Sequence, residues 1–563
     1  MLLVRVAHIR AAGFAAFVLS STAAFAQQPV IPQPGQSRPL PEIAPPSPNL
    51  DFTIQAPRRS PVPRAVEELT FDVKDVRIEG ATLYSAESLH AMAAPVIGKT
   101  VHLSDLIAVA EAIEGRYHAE GYILTRAFVP TQNVNDGVFQ VSVVEGYIAA
   151  VAVQGGEQDS RERVEALLNP VTQSRPLQLA KLESALLTAN LVPGLNVSGM
   201  LRPSPTEPAA SELVLNVGEA PVGASLTADN YGNQATGRWT VAASGSAHSP
   251  FGDGGQITLD ASANPHIPHM RHSFHTAYVA PVPFAPDFTY TLSVLSSHGA
   301  PAGTSDGGVQ LITNSLTVGA RVSTPLLETR LQKLTIDAGL TVQSSDVNNL
   351  GTLPLQTHDE WRVADVALAY QNNDWLDGST NISLDVSQGI PALGATPDGW
   401  IHLARQGGST QFTKITGMLH HTNAIAGPLS ISLTINGQYA FDTLLTGEET
   451  SYGGNFIGRG YDPGSITGDM GIGSALELRY DFNADALSLE QLQLYGFYDN
   501  ARVRNRSGSS HDDDIASAGA GLRIGALKHV SLGVEFGKVL IGVPGYAGGR
   551  HDQRVMTNIA VRY

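Results

Sequence analysis

The sequence contains no cysteine, which removes disulfides, thiolate metal sites and cysteine nucleophiles together. Many small exported domains rely on disulfides, so an exported chain of this kind has to be held by a core or by closed backbone hydrogen bonding. Long apolar runs are missing too. After the N-terminus no window approaches the roughly 20 apolar residues of a membrane helix. Positive charge is scarce: 35 Lys and Arg against 52 Asp and Glu leave a formal net charge of −17. That balance argues against a nucleic-acid partner, which needs a basic face.

What is present begins with an export signal. Arg5 and Arg10 precede the apolar run AAGFAAFVL, and Ala24-Phe25-Ala26 closes the segment. This pattern predicts a secretory signal peptide over 1–26 that leaves after Ala26, taking two positive charges with it. Residues 27–64 then hold eleven prolines in 38 residues. Such density opposes helix and sheet, so 27–69 is expected to be an extended linker.

From about Thr70 the pattern turns to alternating elements. FDVKDVRIEG reads as a strand, SAESLHAMA as a short helix and LSDLIAVAEAIEGRYHAEG as a longer one with Ser104 as its N-cap. Leu106, Ile107, Val109, Ala110, Ile113 and Tyr117 fall on one helical face. YILTRAFVP and GVFQVSVVEG read as two closing strands. The order strand, helix, helix, strand, strand recurs more faintly over 148–218, which predicts two copies of a small α+β module, at 70–147 and 148–219. An open sheet edge on such a module can pair with an extended peptide.

From about Val222 onward helical periodicity gives way to alternation with a period of two. Leu429, Ile431, Leu433, Ile435, Gly437, Tyr439 and Phe441 share one face, while Ser430, Ser432, Thr434, Asn436 and Gln438 share the other. Leu476, Leu478, Tyr480 and Phe482 similarly oppose Ala475, Glu477, Arg479 and Asp481. In a soluble sheet the apolar face would be the core; in a membrane barrel it faces lipid. Runs of about 10 residues, aromatics at run ends and a final strand RVMTNIAVRY ending in Tyr563 favour the barrel. Some 340 residues at roughly 20 per strand and turn predict a transmembrane antiparallel β-barrel of about 16 strands over 220–563.

Motifs for chemistry are weak. Gly453 and Gly458 have phosphate-loop spacing, but Arg459 and Gly460 stand where Lys and Ser/Thr belong, among strands and not ahead of a helix. There is no HExxH zinc motif. His511 with Asp512, Asp513 and Asp514 reads as a solvated loop tip before it reads as a calcium site. Neither a cofactor, a metal nor catalysis is expected.

Four separated segments carry a resemblance. AEGYILTRAFVPTQNVNDGVFQVSVVEG lies in the first module, DNYGNQATGR spans Asp229–Arg238, GNFIGRGYDPGSITGDMGIG spans Gly454–Gly473, and Phe497-Tyr498-Asp499-Asn500-Ala501 follows. Together they resemble the outer-membrane transporters of two-partner secretion, the TpsB family of ShlB/FhaC/HecB-like haemolysin secretion/activation proteins, within the BamA-like superfamily. The resemblance implies two periplasmic POTRA domains before the barrel and a secreted partner exoprotein, such as an adhesin or haemolysin. It also implies a monomer seated in outer-membrane lipid and inserted by the barrel-assembly machinery. Runner-up readings are an assembly factor for outer-membrane proteins and a porin or enzyme barrel.

Residue by residue, the resemblance assigns an extracellular loop around 452–473 that folds back into the barrel. Arg459, Gly460 and Tyr461 form the loop motif and pair with Asp499; Gly458, Gly468, Asp469, Glu477 and Phe497 support it. Gly121, Tyr122, Pro130, Gln132 and Gly137 are the candidates for substrate capture. Two positions depart from the family pattern: Ala501 stands where glycine is expected, and Gly458 where valine is frequent. Family members often carry an N-terminal plug helix; here the prolines oppose a long one, and DFTIQA leaves room only for something short.

Overall fold

The computed structural model describes residues 52–54 and, with short interruptions, 70–563. The signal peptide and the rest of the proline-rich segment, including any plug helix, lie outside the described residues. Within DFTIQA the structure has a strand, β1 (Phe52–Ile54).

The first module contains β2 (Thr70–Val73), β3 (Asp75–Glu79), α1 (Ala86–Ala93), β4 (Lys99–His102), α2 (Leu103–Ala119), β5 (Arg126–Phe128) and β6 (Val138–Val144). Its sheet runs β3-β6-β5, and β2 pairs with β4 in a separate ribbon. Two sequence expectations need correction. FDVKDVRIEG is two strands and not one, because the amides of Lys74 and Asp75 donate to the Gly137 carbonyl and break the run. The N-cap of α2 is His102, whose amide donates to Asp105 at 2.9 Å, and Ser104 lies inside the helix. The predicted face is otherwise the buried one, with Leu106, Ile113 and Tyr117 fully enclosed.

The second module contains β7 (Tyr147–Gly155), α3 (Gln158–Leu168), α4 (Leu179–Asn190), β8 (Leu195–Pro203) and β9 (Ala210–Glu219), with sheet order β1-β8-β9-β7. Each module has its own core. In the second, Ile148, Leu168, Leu182, Leu186 and Leu213 are buried together, as the 3.6-residue spacing in the helices and the alternation in β7 and β9 require.

The remainder is a closed barrel of sixteen antiparallel strands. In order they are β10 (Val222–Asp229), β11 (Thr240–His248), β12 (Gln256–Ala263), β13 (Arg271–Val282), β14 (Ala285–Gly299), β15 (Leu311–Glu328), β16 (Gln332–Asn349), β17 (Gln356–Asn372), β18 (Gly378–Gly389), β19 (Thr413–Ala426) and β20 (Leu429–Ala440). A small hairpin, β21 (Thr450–Tyr452) and β22 (Ile466–Gly468), interrupts the series. It resumes with β23 (Met470–Asp481), β24 (Leu489–Arg504), β25 (Asp513–Ala526), β26 (Val530–Val539) and β27 (Gln553–Arg562). Closure occurs between β10 and β27, from Ser225↔Arg562 to Asp229↔Asn558.

Sixteen is even, so β10 leaves the second module and β27 returns to the same rim, and all the loops at the opposite rim are extracellular. β15 and β16 have 18 residues each, longer than the 10 expected from the sequence. At about 3.3 Å per residue they exceed a hydrocarbon core of roughly 30 Å even when tilted, so they project beyond it. Outward and inward faces follow the predicted parity. Leu476, Leu478, Tyr480 and Phe482 are exposed to the lipid side, while Ala475 and Glu477 are buried in the lumen. Tyr439 packs edge-on against Phe441 at one rim and Tyr480 packs at a tilt against Phe482 at the other, where interface girdles sit. Among the described residues no helix is long and apolar enough to cross a membrane.

Candidate functional site

The loop between β20 and β23 carries β21 and β22, which pair from Thr450↔Gly468 to Tyr452↔Ile466. This hairpin stem lets the loop tip descend into the lumen. Tyr452, Ile457, Tyr461 and Ile466 pack there against Ala475, Ala501, Val503 and Ile515 of the wall. Gly458 has φ +91°, and a Cβ on it would lie 2.6 Å from Ile515 Cδ1. Gly537 of β26 has no side chain because the carbonyl oxygen of Arg459 occupies that space, 2.9 Å from where a Cβ would be. Close backbone approach between loop and wall is therefore built into both partners.

Arg459 sits at this contact with 3% of its surface exposed, and Asp499 of β24 with none. The guanidinium donates from Nε to Asp499 Oδ2 at 2.9 Å and from Nη2 to Oδ1 at 2.7 Å, the bidentate geometry that suits a carboxylate. Backbone amides of Gly458 and Arg459 add bonds to Oδ2 at 3.1 and 3.0 Å. Nη1 reaches Glu477 at 2.5 Å and Glu535 at 3.2 Å. Beneath the guanidinium lies the ring of Phe497, 3.6 Å from Cζ.

Further inward-facing charges complete the network. Arg479 and Arg523 both donate to Glu477, and Tyr495 donates to Glu535 at 2.7 Å. Three arginines thus face three carboxylates, so no charge is left without an opposite one in a secluded site. Sequence reading named Arg459, Asp499, Glu477 and Phe497, and the structure brings them together. It missed Glu535 and Arg523, whose only signal is a charge at an inward position of an alternating strand.

Tyr461 is fully buried; its hydroxyl bonds to the carbonyls of Ala516 and Ile541. Its own carbonyl accepts from Arg554 of β27 at 2.7 Å, and the same guanidinium reaches the carbonyls of Tyr231 and Gly232. Those residues belong to DNYGNQATGR, which also meets the loop where the Gln234 amide donates to Asp462. One arginine on the last strand therefore ties the first extracellular loop, the in-folded loop and the barrel seam together.

A second cluster holds the base of the loop. Asp469 is fully buried and accepts a bidentate pair from Arg405, at 2.5 and 3.0 Å, plus the amides of Leu444 and Arg506 at 2.8 Å. Arg405 belongs to the long loop between β18 and β19. It also reaches the Leu444 carbonyl at 2.9 Å, Asn505 at 3.1 Å and Glu449 at 3.1 Å. Leu403 and Phe412 of that loop pack on Trp361, Leu444 and Leu445, while Glu448 binds Trp361, Gln343 and Lys414. Gly468 fits because a Cβ there would lie 3.0 Å from the Arg504 carbonyl. Asp469 was named from the sequence as a supporting position; Arg405 and Glu448 were not, since nothing local distinguishes them from loop charges.

Glu449 gives this cluster a pH dependence. Burial pushes its carboxyl from an ordinary 4.5 up to about 7, against Arg405, while Asp469 adds to the rise. The closed arrangement therefore binds a proton more tightly than an opened one, is most stable below about pH 4.5 and weakens as pH rises through 7, by about 3 kcal/mol. Single-channel recordings should show more frequent opening at pH 8 than at pH 5.5, and Glu449→Gln should flatten that difference. An unchanged pH profile in the variant would contradict the assignment.

The other named positions lie elsewhere. Gly121 and Tyr122 form the turn after α2, and the Gly121 carbonyl accepts from Leu179 of the second module. Gln132 pairs with the backbone of Gln140 on β6 through both ends of its amide, and contacts the Pro130 carbonyl. Gly137, at φ +76°, closes the turn against Asp72. Asp512 pairs with Arg502 and Arg504, Asp514 pairs with Arg502, and His511 lies outside the described residues. No metal cluster is found among the described residues.

Comparison with known proteins places this geometry. The family profile for "Haemolysin secretion/activation protein ShlB/FhaC/HecB" matches residues 210–524, and a ShlB-type POTRA profile matches 71–146. The chain belongs to the ShlB/FhaC/HecB family. It is an outer-membrane transporter of two-partner secretion, with its POTRA domains in the periplasm. Relatives include the heme/hemopexin transporter protein HuxB of Haemophilus influenzae, 24% identical over 457 residues and 79% of each chain. The hemolysin transporter protein HpmB of Proteus mirabilis is 24% identical over 76% of each. Among solved structures, CdiB from Escherichia coli superposes with a TM-score of 0.70 at 21% identity, covering 90% of this chain and 93% of that one. In the transporter, the arginine cluster and its in-folded loop occupy the lumen of the pore.

Proposed function

We propose that the transporter exports one partner exoprotein through its lumen, and that the Arg459–Asp499 contact is the latch that sets the loop for export. The supporting observation is the bidentate, fully buried pair joining a loop tip to the pore wall. A segment that obstructs the lumen has to be held in a defined place if an unfolded chain is to thread past it. The exoprotein arrives from the periplasm as an extended polypeptide and is captured at the POTRA domains, in the region of Gly121, Tyr122, Pro130, Gln132 and Gly137 and partly by strand addition. The chain acts as a monomer in outer-membrane lipid, inserted by the barrel-assembly machinery. Transport proceeds without catalysis by this chain; folding of the exoprotein outside biases its transit by mass action.

Culture supernatants of a deletion strain and its parent test this reading. Loss of one large exported protein is expected. General depletion of outer-membrane proteins would instead indicate an assembly factor, and an unchanged supernatant would indicate a passive pore.

A further inference from the structure

The outer face of the extracellular rim carries a basic cluster that the latch does not use. Inward and outward residues alternate at the end of β24. Ala501 and Val503 are buried in the lumen, while the side chains of Arg502 and Arg504 are 56% and 60% exposed on the lipid side. Arg506 follows just beyond the strand and is exposed as well. Its Cζ lies 5.6 Å from the centre of the Tyr439 ring, and its Nε donates to the Ala440 carbonyl. Cations are scarce in this chain, so three at alternate positions beside one outward face form a concentrated patch.

The height of the patch in the membrane follows from its register. Ile472 and Met470 of β23 stand opposite Arg502 and Arg504. From Tyr480 in the periplasmic girdle to Met470, β23 rises roughly 25 Å at about 3.3 Å per residue and a tilt of about 40°, which is the height of an outward apolar band. The arginines therefore stand at the extracellular headgroup level, beside the girdle residue Tyr439. Beneath them the outward face is apolar, with Ile472, Leu476, Leu478, Leu494 and Tyr498 all exposed.

The partners of these arginines within the chain hold them loosely. Asp512 accepts from both Arg502 and Arg504, and Asp514 lies 3.4 Å from Arg502. Both carboxylates are exposed, and exposed pairs contribute little. The Arg506 guanidinium contacts only the Ala440 carbonyl and the Tyr439 hydroxyl and ring among the described residues. Three cations against two carboxylates leave a positive surplus. Guanidinium groups bond phosphate bidentately, and basic clusters at the membrane surface read as sites for anionic headgroups. In the outer leaflet of an outer membrane that headgroup is a phosphorylated glycolipid. We propose that Arg502, Arg504 and Arg506 bind the phosphorylated headgroup of an outer-leaflet glycolipid, whose acyl chains run down the apolar face beneath them.

Native mass spectrometry of the detergent-purified full chain tests this, with lipid A carrying two phosphates as the probe and the same lipid without phosphates as its control. The parent should bind the phosphorylated lipid at least tenfold more tightly; equal binding of the two lipids overturns the proposal. Inorganic phosphate at the same concentration should not displace the lipid, and displacement would assign a free-anion site and overturn the lipid source. A basic residue near the headgroups is worth about fivefold in affinity, so Arg502→Gln with Arg504→Gln should lose roughly 25-fold. Parent-level affinity in that variant overturns the proposal. Heat-modifiable mobility reports whether its barrel has folded. Should it not fold, Arg506→Gln, which leaves the Asp512 pairs intact, carries the same test with an expected loss of about fivefold, and an unchanged affinity overturns the proposal.

Discussion

Arg459→Ala is expected to cut export by about two orders of magnitude while the barrel still inserts. The substitution leaves Asp499, which has no exposed surface, with amide donors but no cation, and it strips Glu477 and Glu535 of one partner each. Removing one side of a buried ion pair costs about 3–5 kcal/mol, because the remaining charge stays desolvated. At about 1.4 kcal/mol per factor of ten, the latched population falls by more than a hundredfold. Barrel closure does not depend on this contact, since the sixteen-strand hydrogen-bond ladder is continuous without the loop. Asp499→Ala should have a similar effect, and the double variant should be far from additive, because the two residues share one interaction. Arg459→Lys should rescue poorly: a single ammonium cannot bond both Asp499 oxygens and Glu477 while stacking on Phe497. Secretion of the exoprotein against surface level of the transporter is the measurement. Undiminished secretion by Arg459→Ala would show that the pair is structural decoration of the lumen.

Arg405→Ala is expected to open the extracellular mouth. Arg405 is the one described contact that gives Asp469 a cation, and it joins the β18–β19 loop to Leu444, Glu449 and Asn505 at the same time. Its loss again strands a fully buried carboxylate, at about 3–5 kcal/mol. The long loop then retains the packing of Leu403 and Phe412 but loses its polar anchor. Resting conductance in planar bilayers should rise severalfold, and cells should become more sensitive to a large antibiotic excluded by an intact outer membrane. Wild-type conductance would mean that the apolar contacts alone close the mouth.

The two clusters divide the work by position. One fixes the loop tip deep in the lumen to β23, β24 and β26, and the other fixes its base to the neighbouring loop. On the proposed latch role, the loop has to be both placed and movable. Buried ion pairs suit that need better than apolar packing, since they are sharply defined in geometry yet add little net stability over their desolvation cost.

The chain order of its parts was legible in the residues themselves. Helical spacing at Leu106–Tyr117 marked a POTRA helix, and strict alternation at Leu429–Phe441 and Ala475–Phe482 marked barrel strands with their lipid and lumen faces. These are local periodicities, set by 3.6 residues per turn and by the two-residue pleat, so a single sequence carries them in full. The resemblance supplied Arg459 and Asp499 as a pair; their 40-residue separation contains no physical signal of contact.

Tertiary structure alone decided which other charges meet. Arg554 reaches Tyr461 and the first loop because the barrel closes β27 onto β10, and Glu535 reaches Arg459 because β26 stands opposite the descending loop. Arg405 meets Asp469 because two long loops fold over the same rim. Strand addition by β1 to β8 was equally hidden, since three residues among prolines carry no periodicity of their own. Local sequence determines a strand and which face of it is polar. Ring closure and loop return determine which polar residues, far apart along the chain, share a buried site.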